Sequence, residues 1–192
     1  MSNTLPQVYI VRHGETGWSA SGRHTGRTDL PLTERGEQAA KLVGERLYGM
    51  SFDAVFTSPS LRARRTCELA GFGLTSKVDE DLAEWDYGDY EGLRTPEILE
   101  KRPGWSLFRD GCPNGESVAQ ISARADRVIA RLRQINGNAI IFSSGHISRV
   151  IAARWLGADA SMGRFLILNT GSVSILGYEH SIAEPAIRLW NS

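Results

Sequence analysis

The sequence predicts an α/β fold: a three-layer α/β/α sandwich on a mostly parallel sheet with an antiparallel edge strand. Three observations carry this expectation. Strand-like apolar runs stand at 8–11, 53–57, 139–143 and 173–177. Helical patterns separate them, the alternation that covers a parallel sheet on both faces. A further short run at 186–190 faces 173–178 across the turn from His180 to Pro185, the layout of a hairpin that adds an antiparallel edge. At 192 residues, 41% hydrophobic and 23% charged, the chain suits a single soluble domain, read here as residues 1–192.

In chain order, the first run, Val8-Tyr9-Ile10-Val11, leads straight into Arg12-His13-Gly14-Glu15-Thr16. A strand's carboxyl end is where open α/β sheets build their sites. A fixed cation beside a histidine at such an end points to a phosphate. Thr33 can cap a helix in which Ala39, Val43 and Leu47 recur every four residues. Asp53 to Phe56 forms the second strand and leads into Thr57-Ser58-Pro59-Ser60-Leu61-Arg62. There Ser58 and Pro59 read as a cap followed by proline at the first helical position. Arg62 then falls in the first helical turn, where backbone N–H groups favour an anion.

The stretch from Asp86 to Pro113 is rich in Gly, Trp and Pro, with little periodicity beyond a short helix near Thr95 to Lys101. It reads as a lid or substrate wall. Ser117 opens the clearest helix, whose stripe of Ile121, Ala125, Val128, Leu132 and Ile135 is core. Ala139 to Phe142 leads into Ser143-Ser144-Gly145-His146, repeating the strand-then-glycine-histidine layout.

Composition narrows the function. Lys plus Arg and Asp plus Glu each number 22, so no global field draws in nucleic acid or a membrane surface, and any anion site must be local. No apolar run reaches membrane-spanning length, and the polar segment Met1 to Gln7 lacks the pattern of a secretory signal, so a cytoplasmic location is expected. Cys67 and Cys112 form neither a disulfide framework nor a metal cluster. An arginine six positions after either would mark a cysteine-dependent phosphatase, but those positions hold Gly73 and Val118, so buried thiols are expected. Nothing calls for a cofactor or a metal. A homodimer fits the commonest class of soluble oligomer.

The strand-end motifs of a parallel sheet can converge on one rim, bringing His13, Arg12, Arg62 and His146 around a single tetrahedral phosphoryl group. Each alone has a plain structural reading: the histidines as satisfied core or surface groups, Arg62 as one of a basic helix face with Arg64 and Arg65. Their joint placement outweighs those readings. Among the seven carboxylates between Asp79 and Gly92, Glu84 follows an apolar pair and precedes Trp85 and Tyr87. An apolar wall there would favour the protonated form that general acid work needs. Glu91 stays open as the alternative.

These motifs, Arg12 to Thr16, Thr57 to Ala63, Glu84 with Tyr87-Gly88, and Gly145-His146, resemble the histidine phosphatase superfamily, also called phosphoglycerate mutase-like, from Val8 to about Tyr178. The resemblance implies His13 as nucleophile, Arg12, Arg62 and His146 as the phosphate pocket, and Glu84 rather than Glu91 as proton donor; a protonated His146 is expected to help stabilise the phosphoryl oxygens. Gly22 to Gly26, Glu84 to Gly92 and Gly111 to Glu116 are most similar to the branch of sedoheptulose bisphosphatases and broad-specificity acid phosphatases. That branch implies substrate contacts at Ser19, His24, Thr25, Trp85, Asp86, Tyr87, Arg149, Gly171 and Ser172. Ser19 stands where many members place an asparagine, Arg27 stands where phosphoglycerate mutases usually have tryptophan, and Glu84-Trp85-Asp86-Tyr87 lacks the arginine-histidine pair those mutases carry. The expected activity is therefore hydrolysis of small phosphate esters, with mutase activity or a non-catalytic phosphate-binding module as alternatives.

Overall fold

The computed structural model describes residues 5–192. Of the amino-terminal segment considered above, Met1 to Thr4 lie outside the described residues. The elements are β1 (Val8–Arg12), α1 (Gly17–Ala20), α2 (Glu34–Arg46), β2 (Ala54–Thr57), α3 (Leu61–Leu69), β3 (Lys77–Val78), α4 (Thr95–Lys101), α5 (Leu107–Asp110), α6 (Val118–Leu132), β4 (Ala139–Ser143), α7 (Gly145–Trp155), β5 (Val173–Tyr178) and β6 (Pro185–Leu189). Short 3-10 segments sit at Glu80–Leu82, Gly88–Tyr90 and Ala160–Phe165.

Six strands form one sheet in the order β3-β2-β4-β1-β5-β6. Strands β3, β2, β4 and β1 run parallel, β5 runs against β1, and β6 pairs antiparallel with β5. The mostly parallel sheet and its closing hairpin are as the sequence predicts. Period-two alternation sorts side chains to the two faces. Val8, Ile10 and Ile141 join a core with α6 and α7, whereas Tyr9, Val11, Ile140 and Phe142 join a separate core with Val43 of α2 and Cys67 of α3. This is the three-layer arrangement. No described helix is long and apolar enough to cross a membrane.

Several local expectations fail for tertiary reasons. Helix α3 begins at Leu61, not Pro59, because the Ser58 N–H still donates to Phe142 O at 2.8 Å and holds the chain on the sheet. The first turn is capped instead by a distant residue, with Leu61 N–H donating to Asp29 Oδ1 at 2.7 Å. In α2 the buried position is Ala40, while Ala39 is half-buried. Helix α6 ends at Leu132, so Ile135 packs against the core from the following turn. Elements β3, α1 and α5 have too few residues for a periodic signal.

The 86–113 region is a wall and not a lid. Tyr87, Tyr90, Ile98, Trp105, Leu107, Phe108 and Cys112 are all buried in the α6/α7-side core. Indole N–H donors are also satisfied by backbone, with Trp105 Nε1 donating to Gly111 O at 2.8 Å. Lifting such a segment would expose several aromatic side chains, each worth about 1.5–3 kcal/mol of burial.

Candidate active site

Strands β1 and β4 end side by side, with Arg12 opposite Ser143. One residue on, the His13 N–H donates to Ser143 O at 2.9 Å, so the pairing continues past the strand and carries the imidazole to the rim. His13 Nδ1 lies 2.7 Å from Gly14 O. A carbonyl only accepts, so Nδ1 carries the proton and Nε2 keeps its lone pair. His13 lines a cavity of about 260 Å³ between β1, α7 and the 84–95 segment. Burial holds its pKa well below the usual histidine value, aided by the Arg12 and Arg62 charges. The loop is braced from below: Gly14 N–H donates to Thr66 Oγ1 at 3.0 Å, and a Cβ on Gly14 would stand 2.3 Å from Gly36 O in the first turn of α2.

Arg12 and Arg62 play different structural parts. Arg12 lines the cavity, tethered by one guanidinium N–H to Leu168 O, and its Nε is buried without a partner among the described residues. Arg62 is fully buried and does not line the cavity, contrary to the expectation that it forms the pocket surface. Its Nη1 donates to Thr28 O at 3.1 Å and its Nη2 to Thr25 O and Gly26 O at 3.0 Å each. Those carbonyls draw the guanidinium behind the 25–28 loop, which it braces, and its charge reaches His13 through the wall. Its Nε is also buried and unpaired.

His146 occupies the first turn of α7 and lines the cavity. Its Nδ1 is 2.6 Å from the Tyr87 hydroxyl. The protonated form expected for His146 is not that of the free site. Burial pushes its pKa well below the usual value, and Arg149, His24 and Arg12 push the same way. His24, packed 4.7 Å from the Tyr87 ring, is lowered as well, chiefly by burial.

The pH dependence of stability follows from these three histidines. As pH falls through the unfolded value of about 6.5, the unfolded chain binds protons that the folded chain refuses, so stability held above that pH is lost on acidification towards the folded values. Each neutral histidine adds a slope of up to about 1.4 kcal/mol per pH unit. Urea unfolding at neutral and mildly acidic pH is expected to show this fall, with a shallower slope for His13→Ala. Equal midpoints across that range would contradict it.

Glu84 is 8% exposed and lines the cavity opposite His13. In place of the expected apolar wall, three backbone N–H groups meet its carboxylate: Trp85 and Ile147 donate to Oε1 at 2.8 and 2.9 Å, and His146 donates to Oε2 at 2.9 Å. Two of these come from the first turn of α7, whose N–H groups lack helical acceptors. Glu84 thus caps the helix that carries His146. Glu91 is engaged elsewhere, accepting from Gly26 and Thr28 N–H groups.

The segment bearing Glu84 is fixed by Arg124 of α6. Its guanidinium donates to Asp81 O at 2.8 Å, Ala83 O and Glu84 O, and pairs with Glu116 at 2.7 Å. Both side chains are nearly buried, at 11% and 17% exposure. Arg124→Met strands the Glu116 charge and three carbonyls, so a loss of about 3 kcal/mol is expected in urea unfolding. A loss below about 1 kcal/mol would show that water replaces these bonds freely.

Of the positions expected as substrate contacts, Ser19, His24, Thr25, Tyr87 and Arg149 line the cavity with His13. Four others do not. Trp85 is fully buried in the core, its indole N–H donating to Glu116 O at 2.9 Å. Asp86 faces a neighbouring cavity and pairs with Arg27 at 2.8 Å. Gly171 and Ser172 buttress the site from behind: Gly171 N–H donates to Arg12 O and His13 O, and Ser172 O accepts from Arg12 N–H. Arg23, Thr95 and Leu168 line the cavity but were not singled out. Arg23 sat inside the Gly22–Gly26 motif, whereas Leu168 carries no local signal. Both cysteines are buried, their thiols pushed up to about 11 for Cys67 and about 12 for Cys112 by burial.

Two strand-end histidines, the Arg12 guanidinium and a capped carboxylate thus surround one small cavity. Residues 8–192 match the histidine phosphatase superfamily, branch 1. The chain belongs to that superfamily. It is 42% identical over 185 residues to an acid phosphatase of Mycobacterium tuberculosis, covering 94% of this chain and 91% of that protein. Against the sedoheptulose 1,7-bisphosphatase of Saccharomyces cerevisiae it is 34% identical, covering 98% and 94%. The solved structure of the Mycobacterium tuberculosis open reading frame Rv3214 superposes with a TM-score of 0.91 at 40% identity, covering 96% of each chain. The chain is thus an enzyme of the histidine phosphatase superfamily, with the phosphoglycerate mutase-like fold.

Proposed function

We propose that this enzyme is a metal-independent phosphomonoesterase that hydrolyses small phosphate esters, sugar phosphates or bisphosphates among them, through a phosphohistidine on His13. The observation that carries this reading is the His13 tautomer, with Nδ1–H bound to Gly14 O and the Nε2 lone pair left for the cavity. In the first step Nε2 forms a bond to phosphorus while the bond to the ester oxygen breaks, and Glu84 gives a proton to the departing alcohol. In the second step Glu84 takes a proton from water, whose oxygen attacks phosphorus and displaces Nε2, releasing inorganic phosphate. Both attacks are in line, so catalysis rests on positioning and charge.

The uncatalysed reaction is slow enough that the site must remove on the order of 20 kcal/mol from the barrier. Arg12 supports this most directly, as a fixed cation that lines the cavity beside His13. Arg149 and Arg23 add charge at the mouth, where Glu84 is the one carboxylate among the described lining residues. Identity of 42% to an acid phosphatase, against 34% to a probable phosphoglycerate mutase of Salmonella choleraesuis, supports phosphatase over mutase.

The test is release of free phosphate in EDTA at mildly acidic pH from 3-phosphoglycerate, fructose bisphosphate and sedoheptulose bisphosphate. Release by the wild type is expected and would rank the substrates. Isomerisation of 3-phosphoglycerate without release would establish a mutase instead, and neither product would leave a phosphate-binding module.

A further inference from the structure

We infer that Tyr87 is a positioning residue whose hydroxyl donates to His146 Nδ1 and fixes His146 as the neutral Nε2–H tautomer, a neutral N–H donor to the phosphoryl group. The inference rests on the phosphatase reading for its catalytic meaning, though not for its geometry.

Tyr87 is 1% exposed and its oxygen lies 2.6 Å from His146 Nδ1. Among the described residues this is the one hydrogen-bond partner of the Tyr87 hydroxyl. Burial, with Glu84 nearby, holds the phenol protonated. A phenol carries one proton, and its acceptor here is an imidazole nitrogen that needs none of its own if the ring is neutral. Were Nδ1 the protonated atom, two donors would confront each other unless the phenol turned its proton away from its only protein partner. Such an unpaired buried donor costs about 1–3 kcal/mol. Donation from Tyr87 satisfies both groups and leaves the ring proton on Nε2.

The other groups around His146 agree. Glu84 Oε2 is 3.9 Å from Nδ1, too far for a hydrogen bond, and accepts instead from the His146 backbone N–H. His24 and Phe108 flank the ring at centroid distances of 6.0 and 5.5 Å, and Arg149 follows one turn later on α7. Burial, with Arg149, His24 and Arg12 beside it, disfavours a positive charge on His146, whereas a neutral N–H adds a directed donor without repelling the arginines. Nε2 has no protein partner among the described residues, although His146 lines the cavity. The two histidines therefore hold opposite tautomers: His13 offers a lone pair from Nε2 and His146 offers a proton from Nε2. One attacks phosphorus and the other receives an oxygen. That difference is set by what each Nδ1 meets, a carbonyl for His13 and a hydroxyl for His146.

The experiment is nitrogen-15 NMR of histidine-labelled protein, wild type and Tyr87→Phe, with and without inorganic phosphate. Wild-type His146 is expected as the neutral Nε2–H tautomer, with its Nε2 resonance moved by phosphate. In Tyr87→Phe it should become a mixture of tautomers, and kcat should fall about 10- to 100-fold. A wild-type Nδ1–H tautomer, a doubly protonated ring at neutral pH, or an unchanged tautomer in Tyr87→Phe would each overturn the inference.

A second pair of variants covers the case in which Tyr87→Phe does not fold. Glutamine can set a neutral N–H near the position of Nε2, so His146→Gln should bind inorganic phosphate within about tenfold of wild type while His146→Ala binds more weakly still. Equal losses in the two would contradict a neutral donor. The tautomer is read without turnover, so failure to hydrolyse any ester would sink the phosphatase reading and leave the NMR result to decide this one.

Discussion

Replacing His13 with alanine will lower the rate of phosphate release by about 10⁴-fold or more, and will abolish a covalent phosphoenzyme trapped on denaturation. The size follows from the division of labour in the cavity. Arg12 and His146 can still gather the phosphoryl group, but the remaining donors cannot form a bond to phosphorus. Water would have to attack directly, without the covalent step that splits the reaction in two. Alanine also removes the Nδ1–H bond to Gly14 O, which leaves a carbonyl on a loop otherwise held by Thr66 and Ser143. The loop should therefore keep its place, and the loss should fall on chemistry. His13→Ala that releases phosphate at the wild-type rate would remove the nucleophile from the mechanism.

Glu84→Gln is expected to lower kcat for alkyl phosphates by about 10²- to 10⁴-fold, the range of a general acid and base. Part of any loss will be positional, because the glutamine amide cannot accept at both ends. One of the N–H groups of Trp85, His146 and Ile147 then faces an NH₂ group. Leaving-group dependence separates the two contributions. An aryl phosphate with an acidic phenol as leaving group needs little protonation, so its kcat should suffer much less than that of a sugar phosphate. Equal losses for both substrates would show that Glu84 only holds α7 in place. Glu91→Gln is the control: its carboxylate braces the 26–28 loop, and its loss should not depend on the leaving group.

The strand-end motifs were legible because a buried apolar strand is a local pattern and its carboxyl end is the next residue in the chain. His13, Arg12, Glu84 and His146 come together because β4 inserts between β2 and β1, which brings two sequence-distant ends onto one rim. The helix stripe after Ser117 was equally legible, since six of its residues are buried on one face. Resemblance to a family carried the choice of Glu84 over Glu91; in the structure Glu84 lines the cavity with His13, whereas Glu91 lies outside it and holds the 26–28 loop.

Local reasoning failed where a partner came from far away in sequence. Ser58 looked like a helix cap but was still bound to β4, and Asp29 took over the cap. The resemblance implied Trp85 and Asp86 as substrate contacts, yet one faces the core and the other a different cavity. Gly171 and Ser172 serve the site through the backbone of Arg12 and His13. Arg62 was rightly put in the first turn of α3, but three carbonyls of the 25–28 loop hold it behind the wall.

The sequence by itself determined the layers of this protein and the residue types at its site, because hydrophobic periodicity and strand-end chemistry are written in neighbouring residues. Only the tertiary structure decided which ring nitrogen each histidine exposes, how Glu84 is held and which arginine meets the cavity. His146 meets Tyr87 at a separation of 59 residues, Glu84 caps His146 at one of 62 and Arg12 reaches Leu168 at one of 156, whereas His13 meets its own neighbour Gly14 on a loop that the sheet and Thr66 hold in place. A proton's position and a guanidinium's direction follow from the acceptor it finds, and the fold alone brings that acceptor within reach.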